Sequence, residues 1–261
     1  MDIPPKPEIY YFETVEKLSL EAAGLVCRRA VEEVGRSGSF AMALAGGRSP
    51  RILYETLARP PFMEDMPWGR CHFFWSDERC VPAEDQESNF GMASQALLRK
   101  VSVPEANIHR MPAGAGSPEE AARRYESELR MFFSADPRKR FFPSGGEEFP
   151  RFDLILLGVG ADGHTASLFP GSTLLEEETR WVAAAEAPAS CRTRMRLTLT
   201  LPVLNSAACV LFLVAGEGKV PVLERLLGGR EPAEKELPAA QVKPVRGELV
   251  WLVNLPHGRR V

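Results

Sequence analysis

The residues best suited to proton transfer in this sequence are Asp162 and His164, within the segment GVGADGHTASLFPG at residues 158–171. The segment follows a mainly apolar run at residues 152–157, and its glycines, Gly163 among them, allow the backbone to approach a ligand closely. An imidazole has an ordinary pKa of about 6.5, so it can accept a proton near neutral pH while a nearby carboxylate orients it. A lone histidine is more often structural, but this glycine-rich context favours a catalytic role.

A phosphate-binding turn is predicted at residues 45–50, AGGRSP, between an apolar run and a predicted helix. Its two glycines let backbone N–H groups approach an anion beside a helix N-terminus, and its arginine adds a fixed positive charge. The turn is not a Walker loop, since the motif G-x-x-x-x-G-K-[ST] is absent. A tight turn with a solvated arginine is the alternative. The candidate phosphate contacts are Gly46, Gly47, Arg48 and Ser49.

Charged residues also follow the third predicted strand, in the segment WSDER at residues 75–79. Asp77 could exchange protons or bind hydroxyl groups, and Arg79 could bind an anion. A local ion pair on a solvated loop is the alternative. Downstream, Ser88 and Asn89 could bring small polar groups to the same rim, although a helix N-cap explains the serine equally well.

Further positive charge comes from three alternating arginines and one lysine. If a strand extends from Arg192 through Arg194 to Arg196, all three lie on one face, and at least one could point into the site. Lys219 stands at the start of a predicted helix, where a cation is unfavourable for the helix dipole unless an anion is bound. The position of this lysine therefore favours a phosphate ligand.

The elements that must position these residues are apolar runs alternating with amphipathic segments, typical of an α/β protein with a mostly parallel sheet and helices on both faces. Ligands bind such sheets at the carboxyl ends of the strands. Strands are predicted at residues 9–12, 40–45, 71–75, 152–157, 194–200, 209–215 and 248–253. Helices are predicted at residues 18–34, 50–57, 88–98, 118–133 and 218–227. A short helix is also predicted between the strands at 194–200 and 209–215.

Two further features bear on domain organisation. Ser117 and Glu120 form a capping box around Pro118, a strong signal for a helix start. Residues 134–150 combine helix breakers with clustered charges and no periodicity, so a surface loop is predicted there, and it is the only plausible linker. A single domain over residues 1–261 accounts for the whole sequence.

The composition excludes several classes of protein. With Lys and Arg totalling 32 and Asp and Glu 35, the net charge of −3 lacks the basic surplus of a nucleic-acid binder. No apolar run approaches the ~20 residues that span a bilayer, and no secretory leader is expected. Five cysteines without a CxxC pair fit a reducing cytoplasm. Four histidines without zinc-ligand spacing, and no dinucleotide fingerprint, predict neither a metal nor another cofactor.

Together these segments resemble the 6-phosphogluconolactonase family, whose fold is shared with glucosamine-6-phosphate deaminases and related sugar-phosphate isomerases. The resemblance implies a Rossmann-like α/β domain and cofactor-free hydrolysis of 6-phospho-D-glucono-1,5-lactone in the pentose phosphate pathway. It covers nearly the whole chain. It rests on AGGRSP at residues 45–50, SDERCVP at 76–82 with SN at 88–89, GVGADGHTASLFPG at 158–171, RLTLT at 196–200 and GEGK at 216–219.

As a member of this family, the protein would use His164 as general base on water, oriented by Asp162 or Asp77. The phosphate would be held by the glycine turn, Arg196 and Lys219, with Arg79 near the phosphate or the developing oxyanion. The expected partner is a small phosphosugar lactone, with no nucleic acid or membrane; the oligomeric state stays open.

Two alternatives remain. One is a deaminase or isomerase of the same fold, but deaminases carry a glutamate where this sequence has Phe169 and usually a tyrosine at the position of Arg79. The other is a non-enzymatic sugar-phosphate sensor, which the net charge of −3 and the lack of an attached DNA-binding segment support poorly.

Overall fold

The computed structural model describes residues 6–114, 116–143, 146–228 and 237–255. Its strands are β1 Glu8–Phe12, β2 Phe40–Leu44, β3 Cys71–Trp75, β4 Asp77–Arg79, β5 Arg140–Phe141, β6 Phe149–Pro150, β7 Leu154–Leu157, β8 Val182–Glu186, β9 Met195–Leu199, β10 Cys209–Ala215 and β11 Glu248–Asn254. Its α-helices are α1 Val15–Ser37, α2 Arg48–Leu57, α3 Phe62–Asp65, α4 Asn89–Ala93, α5 Pro118–Ser134, α6 Leu201–Ser206 and α7 Val220–Leu227.

A six-stranded sheet forms the centre, in the order β1-β11-β10-β7-β2-β3, and all of its neighbouring strands are parallel. Every residue of β2 and of β7 is buried. Because successive side chains of a strand point to opposite faces, both faces of the sheet must be covered. The predicted α/β architecture with a mostly parallel sheet is confirmed.

The helix termini follow local chemistry. Thr14 accepts a hydrogen bond from the Lys17 N–H at the start of α1, and Gly38 ends that helix with φ of 86°. Ser117 likewise accepts a bond from the Glu120 N–H, as the capping-box signal predicts, so α5 begins at Pro118.

A second, antiparallel sheet of three strands, β4-β9-β8, stands beside the carboxyl end of β3. Ser76 joins the two sheets: its N–H and its hydroxyl both donate to Leu44 O, while its carbonyl accepts from Leu199 N. The sequence did not predict β4 or β8. The segment 77–79 is a strand rather than a solvated loop, since its first two residues, Asp77 and Glu78, are buried.

Residues 134–150 are not simply a surface loop, contrary to the prediction. Their described part contains a 3-10 turn, Pro137–Lys139, and the strands β5 and β6, which pair with each other. Lys139 is only 3% exposed and its ammonium lies 2.5 Å from the Asp153 carboxylate. A buried ion pair formed at a distance in the sequence leaves no periodic pattern, which is why the prediction failed.

Within the described ranges, no helix is long and apolar enough to cross a membrane.

Candidate active site

Four segments with candidate site residues follow β2, β3, β7 and β10. These four strands are neighbours in the central sheet, in the order β10-β7-β2-β3. Parallel strands end at the same edge, so these segments must meet there. The sheet places β7, from late in the chain, between β2 and β10. This change of direction in strand order creates the crevice in which open α/β sheets bind ligands.

The glycine turn after β2 is fixed from both sides. The Tyr54 hydroxyl donates to Ala45 O at 2.8 Å and accepts from Ala45 N at 3.0 Å, which pins the strand end to α2. Gly47 has φ of 104°, a conformation that favours glycine. A Cβ at Gly46 would overlap the side-chain amide of Asn89, so only glycine permits this approach. The predicted turn and the Ser88–Asn89 motif are therefore in contact.

Helix α2 begins in this turn with open N–H groups. Its first turn holds no acidic residue and its start has no side-chain cap. Arg48 is exposed and Ser49 is half-buried. An uncapped helix N-terminus beside a cation suits an anion.

Asp77 is 6% exposed and its carboxylate binds two neighbours. One oxygen accepts from Ser167 Oγ at 2.7 Å, and the other lies 3.3 Å from Asn89 Nδ2, which also donates to Asp77 O at 2.9 Å. None of these bonds involves His164. The aspartate thus links α4 to the loop after β7, and the structure gives the orienting contact with the imidazole to Asp162 instead.

Glu78, which the sequence analysis did not select, is 3% exposed and accepts bonds at the N-terminus of α4. Oε1 accepts from the N–H groups of Arg79 at 2.7 Å and Asn89 at 2.8 Å. Oε2 accepts from Phe90 N at 2.7 Å and from Ser88 Oγ at 3.3 Å. Burial raises the pKa of this carboxyl, while the three backbone bonds oppose the rise. The same serine caps α4 through Gly91 N, as the N-cap reading predicts.

The imidazole of His164 is held by Asp162 in a tight loop. Asp162 Oδ1 lies 2.6 Å from His164 Nδ1 and 3.2 Å from the His164 N–H. Burial raises the pKa of this carboxyl, but the histidine's charge and hydrogen bonds outweigh it and lower the pKa overall. A Cβ at Gly160 would overlap both side chains, and Gly163 turns the chain with φ of 86°. The pair is half-exposed and therefore accessible to a ligand.

Two arginines lie directly opposite each other on β4 and β9, Arg79 and Arg196. Arg79 donates to Glu87 O at 2.8 Å, yet the Nε of each arginine is buried without a partner. Arg196 is 8% exposed and its guanidinium lies 5.9 Å from the ring centre of Phe169, whose other neighbour is the His164 ring at 4.7 Å. His164 and Arg196 thus lie beside the same phenylalanine ring.

The other two alternating arginines lie outside β9, which begins at Met195. Arg194 is exposed and pairs with Glu186, and Arg192 is exposed. The strand that would have aligned all three is therefore shorter than predicted, and only Arg196 is buried at the site.

Lys219 ends a 3-10 turn, Glu217–Lys219, at the start of α7. Partial burial lowers the pKa of its ammonium, and the negative charge of Asp162 opposes the shift. The lysine is therefore within electrostatic reach of the Asp162 and His164 pair. Among the described residues, no group of three or more His, Cys, Asp or Glu side chains could hold a metal ion.

The sequence profile of a family described as glucosamine-6-phosphate isomerases/6-phosphogluconolactonase matches residues 13–251. The chain belongs to this family. A 6-phosphogluconolactonase of Synechocystis is 39% identical over 249 residues, covering 95% of this chain and 96% of that protein. A 6-phosphogluconolactonase of Rattus norvegicus is 38% identical over 261 residues, covering 97% of this chain and 93% of the relative.

Solved structures of this family have the same fold. A 6-phosphogluconolactonase from Trypanosoma cruzi superposes with a TM-score of 0.82 at 28% identity, covering 97% of this chain and 96% of that one. A monomeric glucosamine-6-phosphate deaminase has a TM-score of 0.76 at 19% identity, over 95% of this chain and 97% of the deaminase. The deaminase likeness shows the fold alone, whereas the family resemblance seen in the sequence is confirmed.

Three buried residues that build the site are not among the residues predicted from the sequence: Glu78, Ser167 and Thr198. Thr198 Oγ1 accepts from Ser167 N at 3.2 Å, so it holds the loop that carries the serine. Ser167 and Thr198 lie within the quoted segments 158–171 and 196–200 without a charge to mark them, whereas Glu78 is an acid between two selected residues. Because side chains alternate along a strand, the Glu78 side chain is expected to point away from those of Asp77 and Arg79, and it lies against α4.

Proposed function

We propose that the protein hydrolyses 6-phospho-D-glucono-1,5-lactone to 6-phospho-D-gluconate, with His164 as the general base. The names of its relatives support the reaction, which belongs to the oxidative branch of the pentose phosphate pathway. The observation that carries the residue assignment is the 2.6 Å contact between Asp162 Oδ1 and His164 Nδ1. A hydrogen bond at Nδ1 leaves Nε2 free to accept a proton.

The phosphate group of the substrate is proposed to bind between the two sheets. Like charges directly opposite on paired strands destabilise a sheet, yet Arg79 and Arg196 stand in this arrangement with buried, unpartnered Nε atoms. An anion between them would satisfy both donors. Lys219 and the N–H groups of the glycine turn at 46–49 would complete the positive surroundings, with Gly163, Ser88 and Asn89 at the rim.

The mechanism follows from this placement. His164 Nε2 removes a proton from water as the water oxygen attacks the lactone carbonyl carbon, and Asp162 stabilises the resulting imidazolium. The tetrahedral intermediate then expels the ring oxygen, which takes the proton from Nε2 and becomes the C5 hydroxyl. The product is a carboxylic acid that releases its proton to solvent. General-base catalysis of this kind contributes typically 10² to 10⁴-fold.

Proton release measured with a pH indicator tests the proposal, because the product acid ionises at neutral pH. Wild-type protein should accelerate the reaction of phosphogluconolactone well above the spontaneous rate, and His164→Ala should lose at least about 100-fold of that acceleration. Equal rates for wild type, variant and buffer would overturn the assignment. Asp162→Asn should fall between them, since the imidazole is kept but loses its orienting carboxylate.

We also propose that the chain forms one domain over residues 1–261 and acts in the cytoplasm without a nucleic-acid partner. One cluster of buried apolar residues includes Leu18 and Leu255, which supports a single core. All five cysteines are free thiols, which supports a reducing compartment. The net charge of −3 gives nucleic acid no electrostatic attraction.

A further inference from the structure

Glu78 is a buried acid with no basic side chain bonded to it in the described residues, and only neutral donors surround its carboxylate. Its side chain is 3% exposed, and its two oxygens accept the four bonds described above, three of them from backbone N–H groups. Burying an acid without a counter-charge costs free energy that neutral hydrogen bonds only offset. Such an arrangement needs a reason beyond stability.

The position of Glu78 on β4 supplies the reason. Side chains alternate along a strand, so Glu78 points away from the face on which Asp77 and Arg79 lie. It reaches the first residues of α4 and fixes them by their backbone. This carboxylate therefore helps to join the strand that carries the two site residues to the helix that carries Asn89.

Asn89 connects α4 to the phosphate-binding turn and to Asp77. Its Nδ2 donates to Asp77 O at 2.9 Å, and its amide packs where a Cβ of Gly46 would stand. A shift of α4 would thus move the asparagine away from the phosphate-binding turn. The backbone N–H of Arg79 is bound to the same carboxylate, and the Arg79 guanidinium binds Glu87 O just before the helix.

We infer that Glu78 is a positioning residue for phosphate recognition, which sets the glycine turn and Arg79 in register by holding Asn89. The inference rests on the proposed function, because it assumes that the turn and the arginine bind the substrate phosphate. Glu78 does not touch the substrate and acts on phosphate recognition through Asn89.

The test is a double-mutant cycle between Glu78→Gln and Asn89→Ala, read by the Kd of 6-phosphogluconate in calorimetry and by kcat and KM. The glutamine amide group would face N–H donors on one of its two sides, so α4 must shift. We expect Glu78→Gln to raise Kd and KM about 10-fold or more with a smaller change in kcat, since bonds to charged groups contribute a factor of this size. In the Asn89→Ala background the same change should cost less than about 3-fold.

Additive effects of the two substitutions, or an unchanged Kd in a folded Glu78→Gln variant, would overturn the inference. If Glu78→Gln does not fold, Glu78→Asp keeps the charge and shortens the reach by one methylene; it should raise Kd in the wild-type background and not with Asn89→Ala. Because Kd is measured on the product, the cycle gives an answer even if the wild type shows no lactone hydrolysis, an outcome that would overturn the proposed function separately.

Asp153→Asn is the matched control. Asp153 is also a buried acid that accepts a backbone N–H, from Ala41 at 2.6 Å, but it lies near the amino ends of the strands. The same change from acid to amide there should alter stability and leave the Kd for 6-phosphogluconate within about 2-fold of wild type. A rise in Kd equal to that of Glu78→Gln would show that any buried acid has this effect, and would refute the specific role.

Discussion

The two ends of the central sheet differ in how far their charged side chains are paired. At the amino end, acids and bases neutralise one another: Lys139 pairs with Asp153, Arg36 with Glu33 and Arg29 with Glu248. At the carboxyl end, Arg79, Arg196 and Lys219 form no ion pair within the described ranges, and Glu78 binds only neutral donors. Breaking a compensated buried pair destabilises the fold, whereas the uncompensated positive charges of the two arginines and the lysine attract an anion.

The largest expected effect is on stability, from Lys139→Met. Burial raises the pKa of Asp153 to about 6 even with the lysine lowering it, so removing the lysine raises that pKa further. Because the pKa of Asp153 is higher in the folded than in the unfolded state, unfolding free energy is lost as the pH rises from the unfolded to the folded pKa. We expect a loss of about 3 kcal/mol in unfolding free energy at pH 8 and a smaller loss at pH 5.

Denaturant unfolding at the two pH values measures this difference, with kcat/KM expected to stay at the wild-type value. A loss of activity at a temperature where the variant is folded would break the comparison, because it would couple the amino end of the sheet to the site.

Arg196→Met should produce the converse result. We expect the Kd of 6-phosphogluconate to rise about 100-fold, since a buried charge-assisted bond to phosphate is lost. Unfolding free energy should stay the same or increase, because the change relieves repulsion with Arg79 on the opposite strand. Calorimetry and thermal unfolding of the same sample report both quantities, and Arg194→Met, at an exposed surface pair, serves as the control. A destabilised variant with normal affinity would assign Arg196 to the fold instead of the ligand.

A smaller effect is expected on the pH dependence of binding. Partial burial lowers the pKa of Lys219, so its charge is lost at lower pH than for an ordinary lysine. Affinity for 6-phosphogluconate should therefore fall several-fold in the alkaline range, at a lower pH than an ordinary lysine would produce. In Lys219→Arg the fall should vanish, because arginine stays charged over this range. Parallel curves for the two proteins would place the titrating group elsewhere.

The smallest effect is expected from Arg29→Ala, which removes a pair that is partly exposed at the amino end. Such pairs contribute about 0 to 1 kcal/mol, and the loss should shrink further in high salt. Thermal unfolding at two salt concentrations tests this. A loss near that of Lys139→Met would show that burial is not what separates the two pairs.

The sequence predicted those features that depend on neighbouring residues. Ser117 and Pro118 define the start of α5 by local capping, and the run at 209–215 is β10 as predicted. The motifs also identified residues that the fold brings together, such as Gly46 and Asn89.

Features that depend on distant partners were not predictable. The strand β4 forms only because β9 pairs with it, more than a hundred residues later in the chain. The local sequence around Lys139 predicts an exposed lysine, and only the folded chain brings it to Asp153. Asp77 reads as a partner for His164, yet its bonds go to Ser167 and Asn89, whose positions follow from the tertiary structure.

The order of strands in the central sheet has a consequence for biosynthesis. β7 fills the position beside β2, and β1 pairs with β11, which includes Asn254 near the end of the chain. While the ribosome is still making the second half, β1 lacks its partner β11, and β2 is paired only with β3 on one edge. Long-range parallel pairings form slowly, and unpaired strand edges promote aggregation until they do. We therefore expect nascent chains truncated before β11 to depend on chaperones far more than the finished protein does.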